Sequence, residues 1–470
     1  MVTQKIARFH DFAASLLPHE VDFLEKNHRL KDPENIQILQ QLKHCVYNPL
    51  QKSHFDRSID KRKYSYMKKW ILEKLEQIDA DHFFFKLTEW DQKIMTDAIS
   101  HDDEIELLQL IKKHTKPAYY FIRFYELVQN YRYYLLIRMR YNYLKTINAF
   151  LEHWKQTYNQ SKAINQELHE ATADIVDQYA HYNKESKQWE DRLISIFTDE
   201  SLDGLNRYYA IVRLTFMYYN YKQYDKLNGL YAKLDLLIVD GTIYTKRILV
   251  NYYANRVLLH SRNNEPEKAI HFGMLSIRFK GADYIFYVTN LCTVLLRSEQ
   301  YQEALKLMQA NLSEWKQTIS PHNKIGFASL YIQCLTRNKK AQQALSFAQG
   351  FLSANREEIQ QFRWNLFFPS MLYAMLQLEK YPEMLKIIRK YNLITLDNEQ
   401  KKRASYIPSI PWMQAIASYK ECLTDESTLI KTFNETSLPL RNDPHRMKIL
   451  LELAREIKPH IGSIPNWPEY

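Results

Sequence analysis

Apolar residues recur every third or fourth position along most of this chain, the spacing of one face of an α-helix. In RKYSYMKKWILEKLEQID, Tyr64, Met67, Ile71 and Leu75 fall at steps of 3, 4 and 4. Phe84, Leu87, Trp90 and Ile94 repeat the pattern. LKDPENIQILQQLKHCVYNPL offers Asp32 as an N-cap and Pro33 at the first helical position, with Ile36, Leu39 and Leu42 on one side. HDDEIELLQLIKKH opens with acids and closes on Lys112 and Lys113, which complements a helix dipole. Residues 1–115 therefore predict an N-terminal domain of several short helices.

No proline lies between Pro117 and Pro266, and no glycine before Gly204. Two long periodic stretches fill residues 116–200. One carries Phe121, Phe124, Val128, Tyr131, Leu135, Tyr141, Leu144 and Leu151. The other carries Ile164, Leu168, Ala171, Ile175, Tyr182, Trp189, Leu193 and Ile196. They predict long connecting helices, each able to exceed about 30 residues and ~45 Å; whether each is one helix or two stays open.

From about residue 205 the pattern becomes self-similar. YYNYKQYDKLNGLYAKL, LHSRNNEPEKAIHFGML, LLRSEQYQEALKLMQAN, LTRNKKAQQALSFAQGF and LQLEKYPEMLKIIRKYN align without gaps, placing Leu227, Ala269, Ala304, Ala344 and Met384 at one position, separated by 42, 35, 40 and 40 residues. Each unit reads as an aromatic-rich helix, a polar turn and a second amphipathic helix. A small residue early in the second helix lets it approach the first closely. The units resemble tetratricopeptide repeats, best in residues 286–312, where Asn290-Leu291, the turn at Ser298–Gln300, and Tyr301, Glu303 and Ala304 sit as in that motif. Tyr381-Pro382-Glu383 repeats the turn signature. The Trp–Leu–Gly–Tyr series of the first helix and the closing proline are not reproduced, and most periods exceed 34 residues. The resemblance implies a TPR-like α-solenoid over residues 201–456 whose concave face binds proteins or peptides. It carries over no catalytic residue, because the motif is structural. DPHRMKILLELAREIK then reads as a C-terminal capping helix with Asp443 at its N-cap, and residues 457–470 as an irregular tail that includes Trp467 and Tyr470.

Composition narrows the chemistry. Glycine is 8 of 470 residues, which disfavours phosphate-cradling loops, and no such loop is possible before Gly204. The four cysteines, Cys45, Cys292, Cys334 and Cys422, form no CxxC pair, and Cys292 and Cys334 fall at packing positions of the repeats. No HExxH or GxSxG occurs, and the acids beside His101 suit a helix start better than a metal. The expectation is a non-enzymatic protein with no metal and no cofactor. The N-terminus lacks the apolar core of a secretory signal, and no apolar run is long enough to span a bilayer, so a cytoplasmic location with no membrane association is expected.

Net charge is +10, and it is uneven: residues 1–200 hold 29 basic and 30 acidic residues, residues 201–470 hold 35 and 24. A basic second half suits an acidic partner or nucleic acid. Lys401, Lys402 and Arg403 form a short basic run that could rim an acidic-peptide groove. Arg123, Arg132, Arg138 and Arg140 interleave with tyrosines over residues 119–143, a mixture single-stranded nucleic acid uses, but their spacings of 9, 6 and 2 make no single stripe. The expected function is a scaffold that holds a protein or peptide. The alternatives are a ligand-sensing regulator, whose solenoid binds peptide while the N-terminal domain contacts an effector, and an RNA-binding helical-repeat protein. Candidate groove residues come from the first helices of the units: Tyr208, Arg213, Tyr218, Asn251, Tyr252, Asn255, Asn290, Tyr331, Gln333 and Tyr373.

Overall fold

The computed structural model describes residues 2–48, 55–181, 185–401 and 406–461. All regular structure among the described residues is helical, and no helix among them is long and apolar enough to cross a membrane. The chain divides into two compact units, Met1–Asn255 and Arg256–Tyr470.

The first unit opens with α1 (Val2–Ser15), α2 (Pro18–Asn27), α3 (Pro33–Tyr47), α4 (Lys61–Ile78), α5 (Ala80–Met95) and α6 (His101–Lys113). Helix α3 starts where Asp32 caps it, its carboxylate accepting the Glu34 N–H at 2.9 Å. At the start of α6 the Ser100 hydroxyl accepts from the Asp103 N–H while the Asp103 carboxylate accepts from the Ser100 N–H, a reciprocal cap. The acids there thus belong to a helix end. Glu104, in the same run, is buried and accepts from the Tyr131 hydroxyl at 2.9 Å and from both arms of Arg140 at 2.9 and 2.8 Å.

The long stretch breaks elsewhere than its two periodic blocks suggest. Helix α7 (Phe121–Ile137) ends at residue 137, and α8 (Leu144–His181) then runs 38 residues across the expected divide. The break uses neither glycine nor proline. Met139 takes a left-handed φ of 53° and the Arg140 N–H bonds back to the Leu135 carbonyl at 2.9 Å. A side chain with no turn signature closes this corner, so periodicity alone passes through it. Tyr182 lies outside the described residues.

Helices α9 (Glu190–Thr198), α10 (Gly204–Asn220), α11 (Tyr224–Val239) and α12 (Lys246–Arg262) follow, with the division between the units falling inside α12. Helix α10 packs on α8 and α9, and α11 packs on α2. His19 bridges Asp235 and the Tyr253 hydroxyl, each at 2.7 Å. The buried Glu20 carboxylate accepts from the Tyr244 hydroxyl at 2.7 Å and from Lys246 at 2.9 Å. Residues 201–255 therefore share the core of the helices before them.

The second unit contains α13 (Pro266–Ser276), α14 (Tyr284–Arg297), α15 (Tyr301–Ala310), α16 (Leu312–Gln317), α17 (Pro321–Arg337), α18 (Ala341–Ala354), α19 (Arg356–Glu358) leading through a π-helical turn, α20 (Trp364–Gln377), α21 (Tyr381–Lys390), α22 (Leu393–Gln400), α23 (Ser409–Lys420), α24 (Glu426–Ser437) and α25 (Pro444–Ile461). Packing follows chain order. Helix α14 touches α13, α15 and α17; α17 touches α18 and α20; α20 touches α21 and α23; α23 touches α24. One continuous apolar core runs beneath them, with Phe327, Phe367, Phe368 and Trp412 fully buried.

Six corners share one closure, which the corners at Asp97, Met139 and Gly241 use as well. Lys222, Asn264, Glu299, Lys339, Glu379 and Cys422 all adopt φ between 54° and 59°. After each, the next N–H reaches back five residues: Gln223 to Tyr218, Glu265 to His260, Gln300 to Leu295, Lys340 to Leu335, Lys380 to Met375 and Leu423 to Ser418, over 2.8–3.1 Å. This pairing satisfies carbonyls at the end of the first helix and turns the chain sharply. Two residues after each of the first five left-handed positions a second helix begins, and Leu227, Ala269, Ala304, Ala344 and Met384 within them are all completely buried.

Candidate functional site

The second unit presents a row of first-helix ends. Arg262, Arg297, Arg337 and Gln377 are the last residues of α12, α14, α17 and α20. Each stands seven residues before the aligned Ala269, Ala304, Ala344 or Met384, so one aligned sequence position supplies the row. Side chains at the end of a helix point back over its last turn, which brings three guanidinium groups and an amide to the same edge.

Helix α25 lies along that edge. Its apolar face, Leu450, Leu453, Ala454, Ile457 and Ile461, is buried in the core of the unit. Its flank carries four polar side chains at steps of four residues, one per helical turn, and three of them bond to corners taken in chain order. Lys448 Nζ donates to the Asn264 side-chain carbonyl at 2.7 Å. The Glu452 carboxylate sits in the field of Arg297. Glu456 pairs with Arg337. The Gln377 amide nitrogen lies 2.8 Å from His460 Nε2. Burial pulls the His460 imidazole below its ordinary range. The expected C-terminal capping helix is thus α25, and it bonds to the corners at Asn264, Arg337 and Gln377.

Arg337 is the best-organised of these groups. Its guanidinium lies 5.5 Å from the ring centres of both Tyr301 and Tyr373 while it pairs with Glu456. Two aromatic faces hold the cation in place by cation–π attraction and leave its edge for a carboxylate. Burial raises the Tyr373 phenol, and the Arg337 charge pulls against that shift, so the phenol stays protonated at neutral pH.

The ten candidate residues do not form one surface. Six sit in the first unit. Tyr218 is 1 % exposed and its hydroxyl donates to Glu190 at 2.8 Å; Tyr252 is 2 % exposed and its hydroxyl donates to Asp235 at 2.7 Å. Arg213 is buried, donating to the Leu168 carbonyl at 2.7 Å. These three side chains are committed to packing. Tyr208 lies beside Tyr119, and Asn255 donates to Asn251 at 3.3 Å. In the second unit Asn290, Gln333 and Tyr373 occupy α14, α17 and α20. The Gln333 amide donates to the Ser370 hydroxyl at 2.8 Å, tying α17 to α20, and Asn290 Nδ2 is buried with no hydrogen-bond partner. Tyr331 turns the other way, edge-on to Phe347 of α18. Of the ten, only Tyr373 belongs to the row beneath α25. The missed residues, Arg262, Arg297, Arg337 and Gln377, carried a sequence signal: a constant offset from the aligned Ala269, Ala304, Ala344 and Met384.

Three of the four arginines in the arginine–tyrosine segment 119–143 also resolve into internal pairs, whereas Arg132 Nε is buried with no hydrogen-bond partner. Arg123 faces Glu126, Arg138 pairs with Asp97 and stacks on Tyr134, and Arg140 pairs with Glu104. Lys401 is exposed, while Lys402, Arg403, Trp467 and Tyr470 lie outside the described residues. Among the described residues no group of three or more His, Cys, Asp or Glu side chains is placed to hold a metal ion. No protein-family model, no curated protein and no solved structure matches the chain.

Proposed function

We propose that the chain is a non-enzymatic, TPR-like scaffold whose second unit holds a segment of another protein. The observation that carries this reading is the seat of α25, an amphipathic helix whose polar flank bonds in chain order to the corners at Asn264, Arg337 and Gln377. A surface built to hold a helix in that way is a protein-recognition surface, because it offers an apolar floor beside regularly spaced charges. The chain-order packing of the second unit supports the solenoid that the reading assumes. A cytoplasmic setting accords with four free thiols, three of them buried.

The test is capture of partners by the tagged full chain from its native cell, half the lysate treated with nuclease. A stoichiometric protein retained after nuclease is the expected result. Loss of every partner on nuclease treatment, with RNA in the untreated eluate, would replace the scaffold by an RNA-binding protein. The internal pairing of Arg123, Arg138 and Arg140 argues for the first outcome.

A further inference from the structure

The seat of α25 specifies what else fits there. Its floor takes apolar side chains at Leu450, Leu453, Ala454, Ile457 and Ile461. Its wall is cationic, with Arg262, Arg297 and Arg337 at one repeat position, and α25 answers with Glu452 and Glu456. Several features make α25 a replaceable occupant. Its backbone runs close to α23, whereas it meets the corners before α13, α18 and α21 through the ends of long side chains. Pro459 lies inside its last turn and removes a backbone hydrogen bond there. It is joined to α24 through a short 3₁₀ turn at Leu438–Leu440.

We infer that α25 is an exchangeable occupant of this seat, and that the scaffold's partner presents an amphipathic helix with two carboxylates one turn apart that displaces it. The inference rests on the scaffold reading and names its ligand class. An intramolecular helix competes at a local concentration in the millimolar range, so a free helix of the same sequence gains little on the intact chain. Once α25 is loosened the seat opens. Arg337 then stands between Tyr301 and Tyr373 without its carboxylate, ready for another.

Two measurements on the full chain test this. In the first, amide hydrogen exchange compares α25 with α17 and α20. Exchange of α25 at least tenfold ahead of the other two is expected; exchange of all three together, in one global unfolding, would overturn the inference by making α25 a fixed part of the core. In the second, a fluorescein-labelled peptide of residues 444–461 is titrated onto the wild-type chain and onto the doubly reversed E452K/E456K variant. At least tenfold tighter binding to the variant is expected, with no binding of a peptide carrying the same two reversals. Equal affinity for both chains, or none for either, would overturn it. If the variant does not fold, the exchange result decides alone. A lysate partner recovered equally by both chains would leave the scaffold reading standing and overturn this one, whereas peptide exchange with no lysate partner would count against the scaffold reading alone.

Discussion

The sulfur atoms of Cys292 and Cys334 lie 3.4 Å apart in the core, one on α14 and one on α17. Both side chains are fully buried. The contact to the Cys334 thiol and burial together hold the Cys292 thiol well above its ordinary range. Reactivity needs the thiolate and access to it, and both are denied here. Cys45 is buried as well, whereas Cys422 is exposed. A thiol reagent such as DTNB should therefore modify one cysteine per native chain, at neutral pH and still at pH 8.5, and three more on addition of guanidinium. Rapid modification of a second thiol in the native chain would contradict the packing described.

Six of the left-handed corners hold lysine, asparagine, glutamate or cysteine, whereas glycine takes the like position at Gly241. A side chain in that conformation costs about 1–2 kcal/mol relative to a right-handed one, and glycine escapes the clash at an entropic cost of about 0.5–1 kcal/mol. Glu299→Gly and Lys339→Gly should each raise the stability of the second unit by about 0.5–1 kcal/mol. Urea unfolding reads this as a higher midpoint with an unchanged slope. Lys339→Ala keeps the strained φ and should give no such gain.

That economy of glycine explains what could and could not be read from the sequence. The apolar spacing of Tyr64, Met67, Ile71 and Leu75 placed α4, and all four are buried. The aligned Ala269, Ala304 and Ala344 marked the close approaches between helices, and each is completely buried. The corner at Met139 was invisible because a methionine there announces no turn, and the short helices α16 and α22 interrupt the two-helix pattern without a periodic signal of their own. The candidate groove residues were chosen as polar and aromatic positions of first helices. That criterion gathers buried tyrosines such as Tyr218 and Tyr252 as readily as exposed ones, since a tyrosine with a partner for its hydroxyl packs well inside. The seat of α25 depends on contacts between residues 83–184 positions apart, such as Arg337 with Glu456, and no local pattern reports those.

Two glycines in the second unit should respond to alanine with opposite signs. A Cβ on Gly273 of α13 would come within 2.6 Å of Leu291 Cδ1 and 3.2 Å of its Cβ, so Gly273→Ala forces α13 and α14 apart. Overpacking of this kind costs about 1–3 kcal/mol. Gly350 of α18 has nothing within 4 Å of its would-be Cβ. Gly350→Ala should stabilise by about 0.5–1 kcal/mol through helix propensity alone. Thermal unfolding of the two variants beside the parent checks both signs at once, and a destabilised Gly350→Ala would show that α18 is not helical there.

His114 gives the first unit a dependence on pH. It follows α6, its ring stacks 5.8 Å from Phe121 and meets Trp154 edge-on at 5.1 Å, and its Nε2 is buried with no hydrogen-bond partner. Burial pushes its pKa down to about 4. The unfolded chain takes up a proton on this residue near pH 6.5, and the folded chain only near 4. A folded pKa below the unfolded one means that the stabilisation is complete above pH 6.5 and is lost as the pH falls through that window, by on the order of 3 kcal/mol. His114→Phe keeps a flat ring against Phe121 and Trp154 and removes both the titration and the unpartnered nitrogen. The variant should be at least as stable as the parent at pH 7.5 and should lose distinctly less stability between pH 6.5 and 4, with the carboxylates that titrate in the same range cancelling in the comparison. Parallel stability–pH curves for the two proteins would mean that His114 reaches solvent or a hydrogen-bond partner in the folded chain.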